Sequence, residues 1–221
     1  HEEYSDYTIQ LGMVEEERVL LLDRGRMRLG FYLDTEEGFA FMGRAGEKSL
    51  LPAVESMLFT GRESLGSGRG YIWSRALPLL QETLLLGFGP DTQAIYFPQD
   101  DYVGKLKTYG QPYILVDKLH NFYLQTAITT GLPSLLALLA IFILYFVTAI
   151  KRYMKGVDTF PDQVGVGIFA GICGYLAAAI FNDSNICVAP VFWILLGFGI
   201  NLNRRGTPES SITGVRRAKK P

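Results

Sequence analysis

Leu132-Pro133-Ser134-Leu135-Leu136-Ala137-Leu138-Leu139-Ala140-Ile141-Phe142-Ile143-Leu144-Tyr145-Phe146-Val147-Thr148-Ala149-Ile150 runs for nineteen residues without a charge and closes on Lys151, Arg152 and Lys155. As a helix this stretch is long enough to cross a hydrocarbon core of roughly 30 Å, so a membrane span is expected there. Two further uncharged runs, 164–181 and 186–202, flank the polar turn Asn182-Asp183-Ser184-Asn185. They read as a helical hairpin of two more spans, each slightly short. Gly167-Ile168-Phe169-Ala170-Gly171 adds small residues at the spacing that lets membrane helices approach closely.

Charge falls unevenly around this oily block. The chain of 221 residues carries 21 Lys+Arg and 22 Asp+Glu, a net −1 that conceals three regimes. Residues 1–131 hold 12 basic and 18 acidic residues, 132–202 hold three of each, and 203–221 hold six basic and one acidic. The loop 151–163 and the tail with Arg204, Arg205, Arg216, Arg217, Lys219 and Lys220 are expected on the cytoplasmic side, because basic segments stay inside. Residues 1–131 then lie outside. No charged-then-apolar leader precedes them, which predicts that the chain is the C-terminal part of a longer polytopic protein.

The expected organisation has four parts: an extracytoplasmic β-rich segment over 1–60, an extracytoplasmic loop with an interfacial helix over 61–131, three transmembrane helices over 132–202, and a basic cytoplasmic tail over 203–221. The expected class is mainly α: a polytopic membrane protein with three transmembrane helices, one amphipathic interfacial helix and a small β meander.

Several chemistries drop out. The histidines are His1 and His120, and Cys173 and Cys187 lie in apolar surroundings, so no cluster has the ligand count of a zinc site and no metal or cofactor is expected. Two cysteines fourteen apart are no disulfide framework. A net charge of −1 gives no case for nucleic acid. An apolar content of 48% excludes disorder for most of the chain.

In the outer region, residues 19–22, 27–33 and 39–42 read as short strands joined by turns at Asp23-Arg24-Gly25 and Glu37-Gly38, a meander too small to stand without neighbouring protein. Residues 61–70 read as a Gly/Ser-rich connector. From Tyr71 to Leu86 the apolar spacing suits an amphipathic helix at a membrane surface, with Trp73 at headgroup level. Residues 90–117 read as a loop in which Tyr96, Tyr102, Tyr109 and Tyr113 alternate with charges, either a solvated surface or a platform for sugars. His120 opens a helical stretch three residues after Asp117, a carboxylate that could share its face and fix its tautomer, so it is either a structural histidine or a proton-transfer group.

The ordered set Ser67-Gly68-Arg69, Trp73, Gly87-x-Gly89, His120-Asn121 and Gly131-Leu132-Pro133, leading directly into an apolar helix, resembles the C-terminal signature of the O-antigen ligase and polymerase family. Ser134 stands where that family commonly has Gly. The resemblance implies an integral-membrane glycosyltransferase that moves a glycan, without a metal, from an undecaprenyl diphosphate carrier to a hydroxyl on a glycan, lipid or protein, on the outer face of the cytoplasmic membrane. It implies His120 as the general base, Arg69 as the leading diphosphate ligand with Arg75 and Arg62 behind it, and Asn121 and Asp117 in orienting roles. Arg75 could equally anchor to lipid phosphates, Arg69 has the same alternative with less weight, and Asn121 could be a helix cap. Two other readings stay open: a protein O-oligosaccharyltransferase with the same chemistry, and a non-catalytic membrane assembly or anchoring subunit.

Overall fold

Two-residue turns set the first element. Glu15 and Glu16 both take left-handed backbone (φ 49° and 69°), and Gly25 does so at 59°, the geometry that matches the twist of a tight hairpin. They join β1 (Thr8–Val14), β2 (Glu17–Arg24) and β3 (Met27–Thr35), and β4 (Gly38–Met42) and β5 (Lys48–Ser49) complete a five-stranded antiparallel sheet in sequence order. The computed structural model describes residues 6–35, 38–49, 51 and 54–205. Glu37 of the expected turn and the tail from residue 206 lie outside these.

The pleat sends alternate residues to opposite faces. Val19, Tyr32 and Ala40 form a small cluster on one face, while Leu29 and Phe41 pack on the other with Tyr102. Tyr102 belongs to α3 (Tyr102–Tyr109), which starts where the Asp101 carboxylate accepts the Gly104 N–H at 2.9 Å and stops at Gly110 with φ 72°. The meander therefore rests on this helix. The stretch 90–117 is more structured than a loop: α2 (Gln93–Tyr96) precedes α3, and Tyr102, Tyr109 and Tyr113 are committed to packing or to hydrogen bonds with Glu47, Gly68 and Met42.

The interfacial helix expected over 71–86 is not formed. Instead α1 spans Leu65–Ala76, a 3-10 turn follows at Pro78–Gln81, and consecutive residues Gly70 to Ser74 are all buried, so the segment is a core helix with no solvent-facing polar stripe. Pro78, lacking an N–H, ends it. Trp73 is buried and donates its indole N–H to the Leu119 carbonyl at 2.8 Å, so it serves the interior and not a headgroup layer.

The described chain divides into two compact units, residues 1–119 with 128–131, and residues 120–127 with 132–221. The second is helical: the start of α4 (Phe122–Thr130), then α5 (Leu132–Tyr153), α6 (Phe160–Ala178) and α7 (Ala189–Arg205). Phe142, Tyr145 and Ala149 of α5 recur at helical spacing and pack with Ile168, Ile172 and Leu176 of α6 and Phe192 and Leu196 of α7.

Here the expectation of three spans is corrected. Among the described residues one helix, Leu132–Tyr153, is long and apolar enough to cross a membrane, with mean hydropathy 2.4 and 17% of its apolar window buried by protein. Its length of about 33 Å suffices. The helix of α6 opens with Pro161-Asp162-Gln163, and α7 closes with Asn201, Asn203 and Arg204, leaving apolar helix of about 22 Å and 18 Å. Residues 179–181 and 186–188, which the uncharged runs assigned to the spans, leave the helix and join the turn at 182–185. The class is correspondingly mixed, a five-stranded antiparallel sheet and seven helices among the described residues, and not a mainly α bundle of three spans. Among the described residues nothing packs closely on the G-x-x-x-G step, since a Cβ at Gly167 or Gly171 would meet nothing within 4 Å. Close approach occurs instead at Gly165, against Tyr153, and at Gly199, against Tyr145.

Candidate functional site

His120 ends the segment before α4 with φ 51°, a left-handed conformation uncommon for a residue with a side chain. Asn121 follows as the helix cap: its side-chain oxygen accepts the Leu124 N–H and its carbonyl accepts the Gln125 N–H, each at 2.8 Å. The Phe122 N–H donates to the Ala179 carbonyl at 2.9 Å, and the Tyr123 hydroxyl donates to the Leu176 carbonyl at 2.8 Å. These bonds tie the start of α4 to the end of α6 and its outgoing turn.

That turn supplies the partner. Asp183 Oδ2 lies 3.0 Å from His120 Nδ1, with the carboxylate 16% and the imidazole 44% exposed. The turn is itself braced: the Asn182 amide donates to the Ala178 carbonyl at 2.9 Å, and the Asn185 side chain accepts the Cys187 N–H at 2.8 Å. Oδ1 of Asp183 is buried without a hydrogen-bond partner. A carboxylate on Nδ1 holds the proton there and leaves Nε2, on a partly exposed ring, with its lone pair free to take a proton. A left-handed backbone, a braced turn and a histidine–carboxylate pair thus meet at one place.

Asp117, the carboxylate expected to orient His120, is exposed in the non-helical stretch before α4, so the shared helix face does not exist. Asp183 occupies that role. It is the one charged residue between 164 and 202, a signal that could have singled it out.

The three arginines belong to the other unit. Arg75 is only 11% exposed and bonds through Nε to Asp101 Oδ2 at 3.0 Å, with Glu63 Oε1 3.6 Å from its Nη1 and the Tyr71 ring 4.7 Å below. Two carboxylates already neutralise it. Backbone N–H groups of Gly61 and of Glu63 itself, followed by Lys107 and Arg75, hold the Glu63 carboxyl below its ordinary range. Arg69 is half-buried, follows three left-handed residues, Gly66, Ser67 and Gly68, and donates to the Gly66 carbonyl at 2.9 Å. Gly68 is required twice, by its φ of 92° and by the Tyr109 ring packed where a Cβ would be. Arg62 is exposed, and its carbonyl lies against Gly70.

Among the described residues no three His, Cys, Asp or Glu side chains gather into a group that could hold a metal ion. A family model described as O-antigen ligase matches residues 29–139, which takes in β3, α1 to α4, Arg62, Arg69, Arg75 and His120. The chain belongs to the O-antigen ligase family. No curated protein and no solved structure matches it. O-antigen ligases are membrane-associated glycan transferases of polysaccharide biosynthesis, which accords with the apolar helix α5. The match ends before Asp183, so the second half of the histidine–carboxylate pair lies in the part of the chain that the family model does not reach.

Proposed function

We propose that this O-antigen ligase transfers a glycan from undecaprenyl diphosphate to an acceptor hydroxyl on a glycan, lipid or protein, at the extracytoplasmic face of the membrane and without a metal. The observation that carries the reading is the His120–Asp183 pair, at 3.0 Å. In this scheme Nε2 of His120 removes the proton of the acceptor hydroxyl as its oxygen attacks the anomeric carbon of the donor glycan. The bond from that carbon to the diphosphate oxygen breaks, and undecaprenyl diphosphate departs with the electron pair. Asp183 accepts the Nδ1–H and stabilises the imidazolium that forms.

The departing diphosphate gains negative charge, which a guanidinium can neutralise with paired hydrogen bonds. Arg69 is proposed for that task, with Arg62 as a second, exposed cation. Arg75 is proposed as a structural ion, because Asp101 and Glu63 already engage it. Asn121 acts through the backbone, capping α4 and fixing the conformation of the residue before it.

The test is transfer in vitro by the full-length protein in lipid, with a radiolabelled undecaprenyl diphosphate glycan, an acceptor and a chelator. Labelled acceptor should form in the presence of the chelator with the natural protein and be lost with His120→Ala. Undiminished product from His120→Ala would overturn the assignment of the base, and loss of product on chelation would overturn the metal-free scheme.

A further inference from the structure

A second feature of the first unit concerns the membrane itself and does not depend on which glycan is moved. After Thr83, which is buried, the chain projects Leu84, Leu85 and Leu86 with 56%, 78% and 81% of their surface exposed. Three consecutive leucines are thus left largely uncovered by the described residues. Gln81 and Glu82 precede them and Pro90-Asp91 follow, which confines the apolar character to the tip.

The position of that tip is fixed by backbone. The Phe88 N–H donates to the Ile128 carbonyl at 3.0 Å and the Gly89 N–H donates to the Thr129 carbonyl at 2.9 Å. Gly87 has no room for a Cβ, because the backbone of Thr129 and Thr130 fills the space, and a Cβ on Gly131, whose φ is 92°, would meet the Leu85 carbonyl at 2.6 Å. The leucines are thus pinned beside residues 128–131. Leu132, the next residue, begins the one candidate membrane span among the described residues. Phe88 also stacks on Tyr96 with ring centroids 3.9 Å apart, placing a half-exposed tyrosine at the base of the same loop. Aromatic rings with a polar edge favour the headgroup layer of a bilayer, and leucines the acyl chains just beneath it.

We infer that the loop 84–88 inserts into the bilayer beside the point where α5 begins, with phospholipid acyl chains covering the three leucines. The loop is a second anchor: it holds the sheet-bearing unit against the lipid surface at a depth of about 5–10 Å. Gly87, Gly89 and Gly131 keep that anchor fixed against residues 128–131.

The experiment uses the full-length protein in phospholipid nanodiscs, with Cys173 and Cys187 replaced by Ser and a single Leu85→Cys carrying an environment-sensitive fluorophore. Leu84→Cys and Leu86→Cys repeat the measurement, and Gln10→Cys on the exposed edge strand is the reference. Nitroxide near the head of the acyl chain should quench the probe at residue 85 several-fold more than at residue 10, and more than nitroxide at the methyl end does. Emission as in water with no quenching at all three leucine positions would overturn the inference. So would a probe shielded from both aqueous iodide and lipid nitroxide, since that would mean protein covers the loop.

Discussion

The Asp183 carboxylate reaches Nδ1 of His120 at 3.0 Å across a turn that the chain forms only after three intervening helices. A histidine that opens one helix is thereby oriented by a carboxylate that closes another, and the two hydrogen bonds from Phe122 and Tyr123 to the Ala179 and Leu176 carbonyls hold the pair in place.

If Asp183 orients His120, Asp183→Asn should lower kcat for glycan transfer by about 10²-fold or more while leaving KM for the donor unchanged. Asp183→Glu should restore part of the loss. Steady-state transfer with varied donor measures both, and a fall confined to KM would assign Asp183 to binding instead.

Arg75 and Arg69 should separate by phenotype. Arg75→Met strands the buried Asp101 carboxylate and its neighbour Glu63, and should cost about 3–5 kcal/mol of stability. Arg69→Ala should leave thermal unfolding nearly unchanged and reduce transfer by about 10²–10³-fold. Unfolding temperature and transfer rate, recorded on both variants, decide the matter.

Three glycines make a further contrast. Gly131→Ala demands a left-handed alanine in contact with the Leu85 carbonyl, and Gly87→Ala drives a methyl into the Thr129 backbone, so each should destabilise by about 2 kcal/mol or more. Gly167→Ala, a helical position with open space around it, should stabilise by about 0.5–1 kcal/mol. Melting curves of the purified variants give the comparison.

Lys105 predicts a pH dependence. Burial pushes its ammonium down to about 8 from an ordinary 10.5, against the pull of Asp101 and Asp100, while Nζ donates to the Gln99 carbonyl at 2.6 Å. Between those two values the unfolded chain holds a proton that the folded protein has released, so stability should rise as pH climbs above 8. Burial raises Tyr102 and Tyr109 to about 12 from 10.0, which opposes the gain once unfolded tyrosines ionise, so the rise should show below pH 10. Thermal unfolding between pH 8 and 9.5 should display it in the natural protein and lose it in Lys105→Met.

The sheet was readable because its information is local: short apolar runs at Val19 to Leu22 and Phe39 to Met42, and turn residues between. The edge strand β1 alternates, with Ile9, Leu11 and Met13 on one face, but all three are exposed, so it adds little to a core. The spans were overcounted because an uncharged run measures sequence length, whereas a bilayer measures helix length, and residues 179–181 and 186–188 of the two runs are spent on the turn between them. His120 and Arg69 stand in the motifs that carry the family resemblance. Asp183 could not be paired with His120 without the fold, and Trp73 and Arg75 changed meaning once their burial was known.

The central claim is that His120 removes the acceptor proton, and a single-turnover measurement with saturating lipid-linked donor bound to the full-length protein tests it most directly. His120→Gln should bind donor as the natural protein does and transfer its glycan at least about 10²-fold more slowly. Transfer within twofold of the natural rate, with the donor equally bound, would contradict it.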